Sequence, residues 1–520
     1  MSTPDPVPAR AGRWLPLGNV LTSQLNTALT TAGAFVITPA VLNGLGDAAY
    51  GGWLLINSFV GYMRLLDQGT STGTMKYGAG AYERGDERDL RRVFDTTSAI
   101  FLFVGLVAGL CAFGLATILP RFYPSILSDA SSTILLLGVA MAIDLGVRTY
   151  PAALRTRSFF FVPDGVEILT YSIFKLGLTL YLARTLSYHV LALLTLGETL
   201  ARNVLVVGAS LWLCPFVRVL RPLRAEKEMF RRIALMGIAM SIIQVSDIVR
   251  FQLDAAVIGF CLPDSATLIA VFGVGTRLPS IIWFSVGVIG AILIPRFSGL
   301  SETGDRKGLL ELLRRGSLAT GLVSVFLCVN VAVFGPQFLF LWLKKPWVVQ
   351  SGQILLMMLP AYYVGLLGGP SAGLLVGQGK LRGQTFITVV EAVANLVLSL
   401  ALVRPFGIYG VAVGTIVPMV IVRAVLFPLV LRRDLGIAPR EYAKLHARPL
   451  LLGLVYLALI GGFHFVRIGS YARFVAYGAA STAVFAALLF AGVPEVRRAV
   501  RARLRRGDRP PPAAVSPPSS

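Results

Sequence analysis

The sequence has few charged residues and little of the chemistry on which most enzymes depend. Only 14% of its 520 residues are Asp, Glu, Lys or Arg, and it contains three histidines and four cysteines. A soluble protein of this length needs more charge than that, so the composition excludes a soluble class. The cysteines lie in or beside apolar runs without CxxC spacing, which indicates packing residues rather than disulfides or metal ligands.

Motifs that couple transport to ATP or hold a catalytic metal are also missing. No GxxxxGK[ST] loop is present, because Gly377-Gln378-Gly379-Lys380 is followed by Leu381 and falls in a short interhelical loop. The sequence has no zinc motif, no Gly-x-Ser-x-Gly elbow and no DxD-like pair on an exposed loop. We therefore expect no catalytic residue, no metal, no cofactor and no direct use of ATP.

Long apolar runs are what the sequence has in abundance. Its mean hydropathy is +0.73, and a membrane-spanning helix needs about 20 mostly apolar residues. This predicts an all-α polytopic membrane protein with about 14 transmembrane helices and no cleavable signal peptide. The predicted spans are 17–42, 48–67, 93–119, 131–154, 164–184, 187–213, 232–261, 265–295, 317–343, 351–377, 383–404, 408–431, 449–467 and 471–494.

The distribution of basic residues predicts the orientation in the membrane. About 34 of the 48 Lys and Arg residues fall in the termini and the even-numbered loops, and positive charge marks the cytoplasmic side. The sequence therefore predicts that both termini are cytoplasmic. The richest segments are Arg84 to Arg92, the linker Arg218 to Arg232, and the tail Arg497 to Arg509. The predicted external loops are short, which argues against a membrane enzyme that polymerises or modifies polysaccharide.

An internal repeat at an offset of 216 to 219 residues predicts two lobes. Glu83-Arg84-Gly85-Asp86 matches Glu302-Thr303-Gly304-Asp305, and Leu45-Gly46-Asp47-Ala48 matches Leu262-Pro263-Asp264-Ser265. An offset of six helices preserves orientation, so the lobes are parallel repeats. The predicted domains are an N-terminal six-helix lobe 1–213, a cytoplasmic linker 214–231, a second six-helix lobe 232–432, two additional transmembrane helices 433–494, and a basic Pro-rich cytoplasmic tail 495–520.

Ionisable groups inside predicted spans are candidates for a transport site, because charge at bilayer depth is costly. The candidates for substrate binding are Arg250, Arg277, Lys175, Arg202, Arg423 and Asn26. The candidates for ion coupling are Asp247, Asp254 and Glu391. Asn26 belongs to a polar face of the first span with Asn19, Ser23 and Thr30, which is predicted to line a central cleft.

Structural pairing is the alternative role for these charges. Asp247, Arg250 and Asp254 could form a buried ion cluster. Three further pairs could neutralise each other within one helix, since their members stand three or four residues apart: Arg64 with Asp67, Asp144 with Arg148, and Glu198 with Arg202. Lys175, Arg277 and Arg423 have no such partner and need a carboxylate from another helix, a water-filled cavity or an anionic substrate; Glu391 is an available mate for one of them.

Several segments resemble a transporter family. In the N-terminal half they are Leu45-Gly46-Asp47-Ala48-Ala49-Tyr50-Gly51 leading into Trp53, Gly61-Tyr62, Leu65-Leu66-Asp67 and Glu83-Arg84-Gly85-Asp86. In the C-terminal half they are Leu253-Asp254, Val257-Ile258-Gly259, Leu293-Ile294-Pro295-Arg296-Phe297, Gly304-Asp305, Ala394-Asn395-Leu396-Val397 and Phe406-Gly407-Ile408. Together they resemble Wzx-type polysaccharide flippases of the multidrug/oligosaccharidyl-lipid/polysaccharide exporter superfamily.

The resemblance implies a rocker-switch flippase for undecaprenyl-diphosphate-linked oligosaccharide in the synthesis of surface polysaccharide, such as lipopolysaccharide or exopolysaccharide. It implies that the membrane is a bacterial inner membrane. It also implies a cationic cavity for the headgroup, and two extra helices that accommodate the lipid tail. Expected partners are this substrate, membrane lipids and polysaccharide assembly proteins, with no nucleic acid. A drug/cation antiporter of the same superfamily is the alternative, with Asp247, Asp254 and Glu391 as coupling carboxylates.

Overall fold

The computed structural model describes residues 11–67, 69–466 and 468–498, and over these residues every regular element is a helix. In chain order the α-helices are α1 (Ala11–Leu45), α2 (Asp47–Tyr62), α3 (Thr70–Glu83), α4 (Glu87–Phe122), α5 (Pro124–Leu127), α6 (Ser131–Gly146), α7 (Thr149–Thr156), α8 (Phe161–Thr170), α9 (Thr179–Tyr181), α10 (Tyr188–Leu213), α11 (Lys227–Gln252), α12 (Asp254–Cys261), α13 (Ser265–Glu302), α14 (Arg306–Leu343), α15 (Val348–Leu367), α16 (Gly369–Gly377), α17 (Leu381–Ile421), α18 (Phe427–Leu435), α19 (Pro439–Ile460) and α20 (Tyr471–Gly492).

Ten helices in the described ranges are long and apolar enough to cross a membrane. Counted together with the predicted spans that fall on interrupted or joined helices, these ten agree with the predicted count of about fourteen. The predicted spans 48–67, 164–184 and 232–261 fall on helices that are interrupted, and 383–404 and 408–431 lie together in one continuous helical stretch, Leu381–Leu435. Within α17 the chain reverses at Gly407, whose φ of 60° is open to glycine at little cost. The chain is therefore an all-α, multi-pass membrane protein, as the composition predicts.

The two copies of the predicted repeat form the same local turn. Gly85 and Gly304 have φ of 67° and 69°, and each ends one helix in the left-handed conformation. The next residue then caps the following helix: Asp86 accepts hydrogen bonds from two backbone N–H groups of α4, and Asp305 accepts one from Gly308 of α14. This equivalence supports the repeat, while the division into two lobes stays a prediction.

By its packing the chain divides into two compact units. The first contains the residues up to Val274 together with Thr385–Pro418. In it, α4 and α6 pack closely because small residues face each other, and a Cβ on Gly138 would lie 2.1 Å from Cβ of Ala112. The predicted linker also packs against α4: the backbone N–H of Arg221 donates to Asp95 over 2.7 Å, and Val217 is buried.

The second unit contains Gly275–Gln384 and the residues from Met419 onward. It includes α19 and α20, which pack on α14 and on each other. The Tyr456 hydroxyl lies 2.6 Å from Oγ of Ser481 and 2.8 Å from Nδ2 of Asn330, and Ser481 donates to Oδ1 of Asn330 over 2.7 Å. Because no solvent reaches Tyr456, this closed polar network fixes the two additional helices to α14.

Removing that hydroxyl is expected to destabilise the second unit. Tyr456→Phe leaves Asn330 and Ser481 short of a partner in an apolar surrounding, which costs about 1–3 kcal/mol. This loss of stability is measured as a fall in the apparent melting temperature of the detergent-solubilised protein. The control is Tyr181→Phe, because Tyr181 is 84% exposed and its hydroxyl has no buried partner to lose; a melting temperature equally lowered in both variants would contradict the assignment.

Candidate functional site

Two helix breaks in the first unit lie at the same distance along the chain from the start of their helices. One separates α2 from α3 beyond Tyr62, and the other separates α6 from α7 at Val147 and Arg148. Arg64 and Arg148 each lie 17 residues from the start of α2 and α6, or about 26 Å at 1.5 Å per residue. Both helices start on the predicted external side. The breaks therefore lie close to the opposite boundary of a hydrocarbon layer about 30 Å thick.

An alternating series of charges connects these breaks to the neighbouring helices. Arg148 forms ion pairs with Asp67, in the first break, and with Asp144 over 3.1 Å. Arg202 of α10 binds the other oxygen of Asp144 at 2.5 Å and lies 4.0 Å from Glu198. Each of these carboxylates is thus paired with an arginine. Without these pairs, the helices would bury isolated charges.

Lys175 continues the series through a helix of unusual geometry. It lies in the π-helical segment Tyr171–Leu178, a wide turn that is rare in proteins and often marks functional sites. Its Nζ donates to Oγ1 of Thr195 over 2.6 Å and lies 4.0 Å from Oε2 of Glu198. The predicted need of Lys175 for a carboxylate from another helix is therefore met by Glu198.

A cavity of ≈ 280 Å³ opens beside the breaks and is rich in arginine. We call it the arginine pocket; its charged and amide lining residues are Arg64, Arg148, Arg155, Arg202, Asp144, Glu167 and Asn203. Four guanidinium groups thus face two carboxylates. The side chains of Arg64 and Arg155 are exposed to the cavity, and neither makes an ion pair with any described residue. The buried Nδ2 of Asn203 has no hydrogen-bond partner among the described atoms.

The polar face of the first helix packs on α8. Nδ2 of Asn26 donates to Oε2 of Glu167 over 3.1 Å, and Nδ2 of Asn19 donates to the carbonyl of Ser158 over 2.7 Å. The hydroxyl of Tyr171 donates to the carbonyl of Thr30 over 3.1 Å. Asn26 therefore reaches the arginine pocket through Glu167, and the polar face that was predicted to line a cleft is largely engaged within the first unit.

Arg250 and Glu391 form a second, fully buried pair within the first unit. Nη1 of Arg250 lies 2.5 Å from Oε1 of Glu391, and the two side chains are 3% and 1% exposed. Glu391, the predicted mate for a cation, is therefore paired with Arg250 of α11. Asp254 is buried at the start of α12. The side chain of Asp247 lies outside the described residues.

The two remaining candidate cations, Arg277 and Arg423, belong to the second unit. Arg277 is exposed on α13. Arg423 is 5% exposed, lies in the π-helical segment Val422–Leu426, and stacks over the ring of Phe427 at 5.9 Å. Of the predicted site residues, the structure brings together Lys175 and Arg202, with Asn26 at the edge of the pocket, and separately Arg250 with Glu391.

Sequence reasoning assigned structural pairing to residues that line the pocket, and missed others. The pairs Asp144–Arg148 and Glu198–Arg202 are present, but Asp67 pairs with Arg148 instead of Arg64. Asp67 follows the single turn of 3-10 helix that ends α2, so its carboxylate is directed to the neighbouring helix. The sequence did contain a signal that these pairs lie together. Three even-numbered predicted spans each carry a charge pair at a similar distance from the predicted external end. Nothing in the sequence singled out Arg155 or Glu167.

Comparisons with known proteins were made for sequence families, curated proteins and solved structures. No protein-family model matches the sequence. No curated protein matches it. Among solved structures, lipid II flippase MurJ in an inward closed conformation is similar at 11% identity with a TM-score of 0.69, covering 90% of this chain and 99% of that one.

Multidrug transporters are also similar in structure. A multidrug resistance MATE family transporter of the MOP superfamily matches in its inward-facing conformation at 15% identity with a TM-score of 0.64, covering 81% of this chain and 98% of that one. Its outward-facing conformation matches at 16% identity with a TM-score of 0.60. Identities this low show a shared fold and not a shared substrate. The chain has the fold of the MurJ flippase and of MATE transporters.

Proposed function

We propose that this protein is a flippase that moves undecaprenyl-diphosphate-linked oligosaccharide across the inner membrane for the synthesis of surface polysaccharide. The observation that carries the proposal is the arginine pocket, in which Arg64 and Arg155 face a cavity without an ion pair among the described residues. A diphosphate is the kind of group that such an arrangement binds, because guanidinium groups form paired hydrogen bonds with phosphate oxygens.

The unpaired arginines of the pocket support an anionic substrate. Arg148 and Arg202 are engaged by Asp67, Asp144 and Glu198, whereas Arg64 and Arg155 make no ion pair with any described residue. A diphosphate diester carries about two negative charges at neutral pH and has non-bridging oxygens for both of these arginines.

The depth of the pocket supports loading from the cytoplasmic leaflet. In the predicted orientation the helix breaks lie about 26 Å from the external ends of α2 and α6, close to the cytoplasmic boundary. A lipid-linked glycan assembled in the cytoplasm would meet the arginines at the level of its diphosphate. Alternating access of the two repeats, without direct use of ATP, would then expose the group to the other side.

The extent of the structural matches also favours a flippase over an antiporter. The flippase match covers 90% of this chain and 99% of the flippase, whereas the MATE match covers 81% of this chain and 98% of the transporter. The antiporter alternative also loses one proposed coupling group, because Glu391 is neutralised by Arg250.

Transport by the purified full chain in liposomes tests the proposal against its rival. A fluorescent polyprenyl-diphosphate oligosaccharide is placed in one leaflet, and its arrival in the other is read by a membrane-impermeant glycosidase. We expect glycan movement above empty liposomes without ATP, and no pH-gradient-driven uptake of a lipophilic organic cation. Cation uptake without glycan movement would identify an antiporter and overturn the proposal.

A further inference from the structure

A basic groove in the second unit lies at the predicted cytoplasmic boundary, and it shares no lining residue with the arginine pocket. It is a cavity of ≈ 450 Å³ between the first turns of α14 and the chain that follows α20. Its charged lining residues are Glu311, Arg314, Arg315, Glu495 and Arg498. The apolar part of α14 begins directly after Arg315, so the groove lies where lipid headgroups meet the hydrocarbon layer.

Arginine outnumbers carboxylate in and beside this groove. Glu311 is shared by Arg314 at 3.0 Å and Arg315 at 2.6 Å. Glu495 is shared by Arg448 of α19 at 3.1 Å and Arg314 at 3.7 Å. Arg498 makes no ion pair within the described ranges. Three guanidinium groups thus share two carboxylates and Arg498 is the fourth, which leaves two positive charges and several N–H donors for an outside anion.

The rest of the lining of the groove is aliphatic. Leu318, Ala319, Leu322, Val493 and Val496 complete the lining. A cationic end that meets an aliphatic wall at a membrane boundary matches a molecule with an anionic head and an apolar chain. A free inorganic anion would contact only the cationic end of such a site.

We propose that this groove binds a phospholipid with an anionic headgroup. The phosphate lies between Arg315 and Arg498, and the first part of an acyl chain lies against Leu318 and Val496. Basic pockets between membrane helices on the cytoplasmic side are known to hold such headgroups. The excess of two charges favours a lipid with two phosphates over a lipid with one. The bound lipid joins α14, α19 and the chain after α20, and it is separate from the transported substrate.

The test compares which lipids the full chain retains in native mass spectrometry. It also measures the melting temperature of the protein in mixed micelles with each lipid. The probes are diphosphatidylglycerol, phosphatidylglycerol and phosphatidylcholine, with inorganic phosphate as a competitor. The expected order of retention is diphosphatidylglycerol, then phosphatidylglycerol, then phosphatidylcholine. Arg315→Gln combined with Arg498→Gln is expected to weaken retention of diphosphatidylglycerol roughly 10- to 30-fold.

A matched control separates the groove from general charge attraction. Arg88→Gln with Arg91→Gln removes the same charge from exposed positions of α4 on the same predicted side of the membrane, and it is expected to retain lipid like the wild type. Arg315→Lys with Arg498→Lys keeps the charge and is expected to lose less than the Gln pair. Equal loss in the Gln pair and the control would overturn the site. Displacement of the lipid by millimolar phosphate would show a soluble-anion site and would overturn the lipid assignment.

Discussion

Arg250→Met is expected to lower the free energy of unfolding by about 3–5 kcal/mol, because it removes the guanidinium that pairs with the buried carboxylate of Glu391. Glu391 is 1% exposed, and Nη1 of Arg250 lies 2.5 Å from its Oε1. Chemical denaturation of the detergent-solubilised protein measures the change.

The paired replacement distinguishes a buried charge from lost packing. Arg250→Met with Glu391→Met removes both charges and keeps apolar volume, so it is expected to recover most of the loss. Arg184→Met is the control, since Arg184 is exposed and its replacement should change stability by less than about 0.5 kcal/mol. Wild-type stability in the single variant would mean that the pair is not a structural element of the first unit.

Arg64→Gln with Arg155→Gln is expected to reduce glycan flipping in liposomes on the order of 100-fold with little change in stability. The two guanidiniums are the free donors of the arginine pocket, and a hydrogen bond to a charged group contributes about 1.5–3 kcal/mol. No described residue loses an ion-pair partner in this variant, so folding is expected to be unaffected.

The control for this variant carries the same change in charge elsewhere. Arg121→Gln with Arg184→Gln alters two exposed arginines near the predicted external ends of their helices. Flipping at the wild-type rate is expected there. If the pocket variant also flips glycan at the wild-type rate, while its protein level and melting temperature are normal, the diphosphate does not use this pocket.

The sequence was sufficient for the fold class and for features that depend on neighbouring residues. Long apolar runs predict spanning helices because the lipid requires every backbone group to be paired within the helix. The matching Gly85-Asp86 and Gly304-Asp305 segments form matching turns, since a left-handed glycine and a capping aspartate act locally. The same locality explains why Asp144 and Arg148 pair as their spacing predicts.

The candidate site was predicted only in part, because it depends on which way each helix faces. A helix that is apolar on nearly every side gives no signal of its facing side. The break after Tyr62 turns Asp67 toward Arg148, and the π-helical segment places Lys175 beside Thr195 and Glu198. Neither irregularity has a distinctive sequence pattern. Pairing across helices, such as Arg250 with Glu391, is therefore visible only in the structure.

The most direct test of the central claim is the affinity of the protein for one glycolipid with and without its diphosphate. The same oligosaccharide is attached to the polyprenyl chain through a diphosphate or through an uncharged ether, and binding to the full chain in nanodiscs is measured by fluorescence. The arginine pocket predicts that the diphosphate form binds at least about 100-fold more tightly, since two or more charge-assisted hydrogen bonds are lost without it. Equal affinity for the two forms would contradict the account.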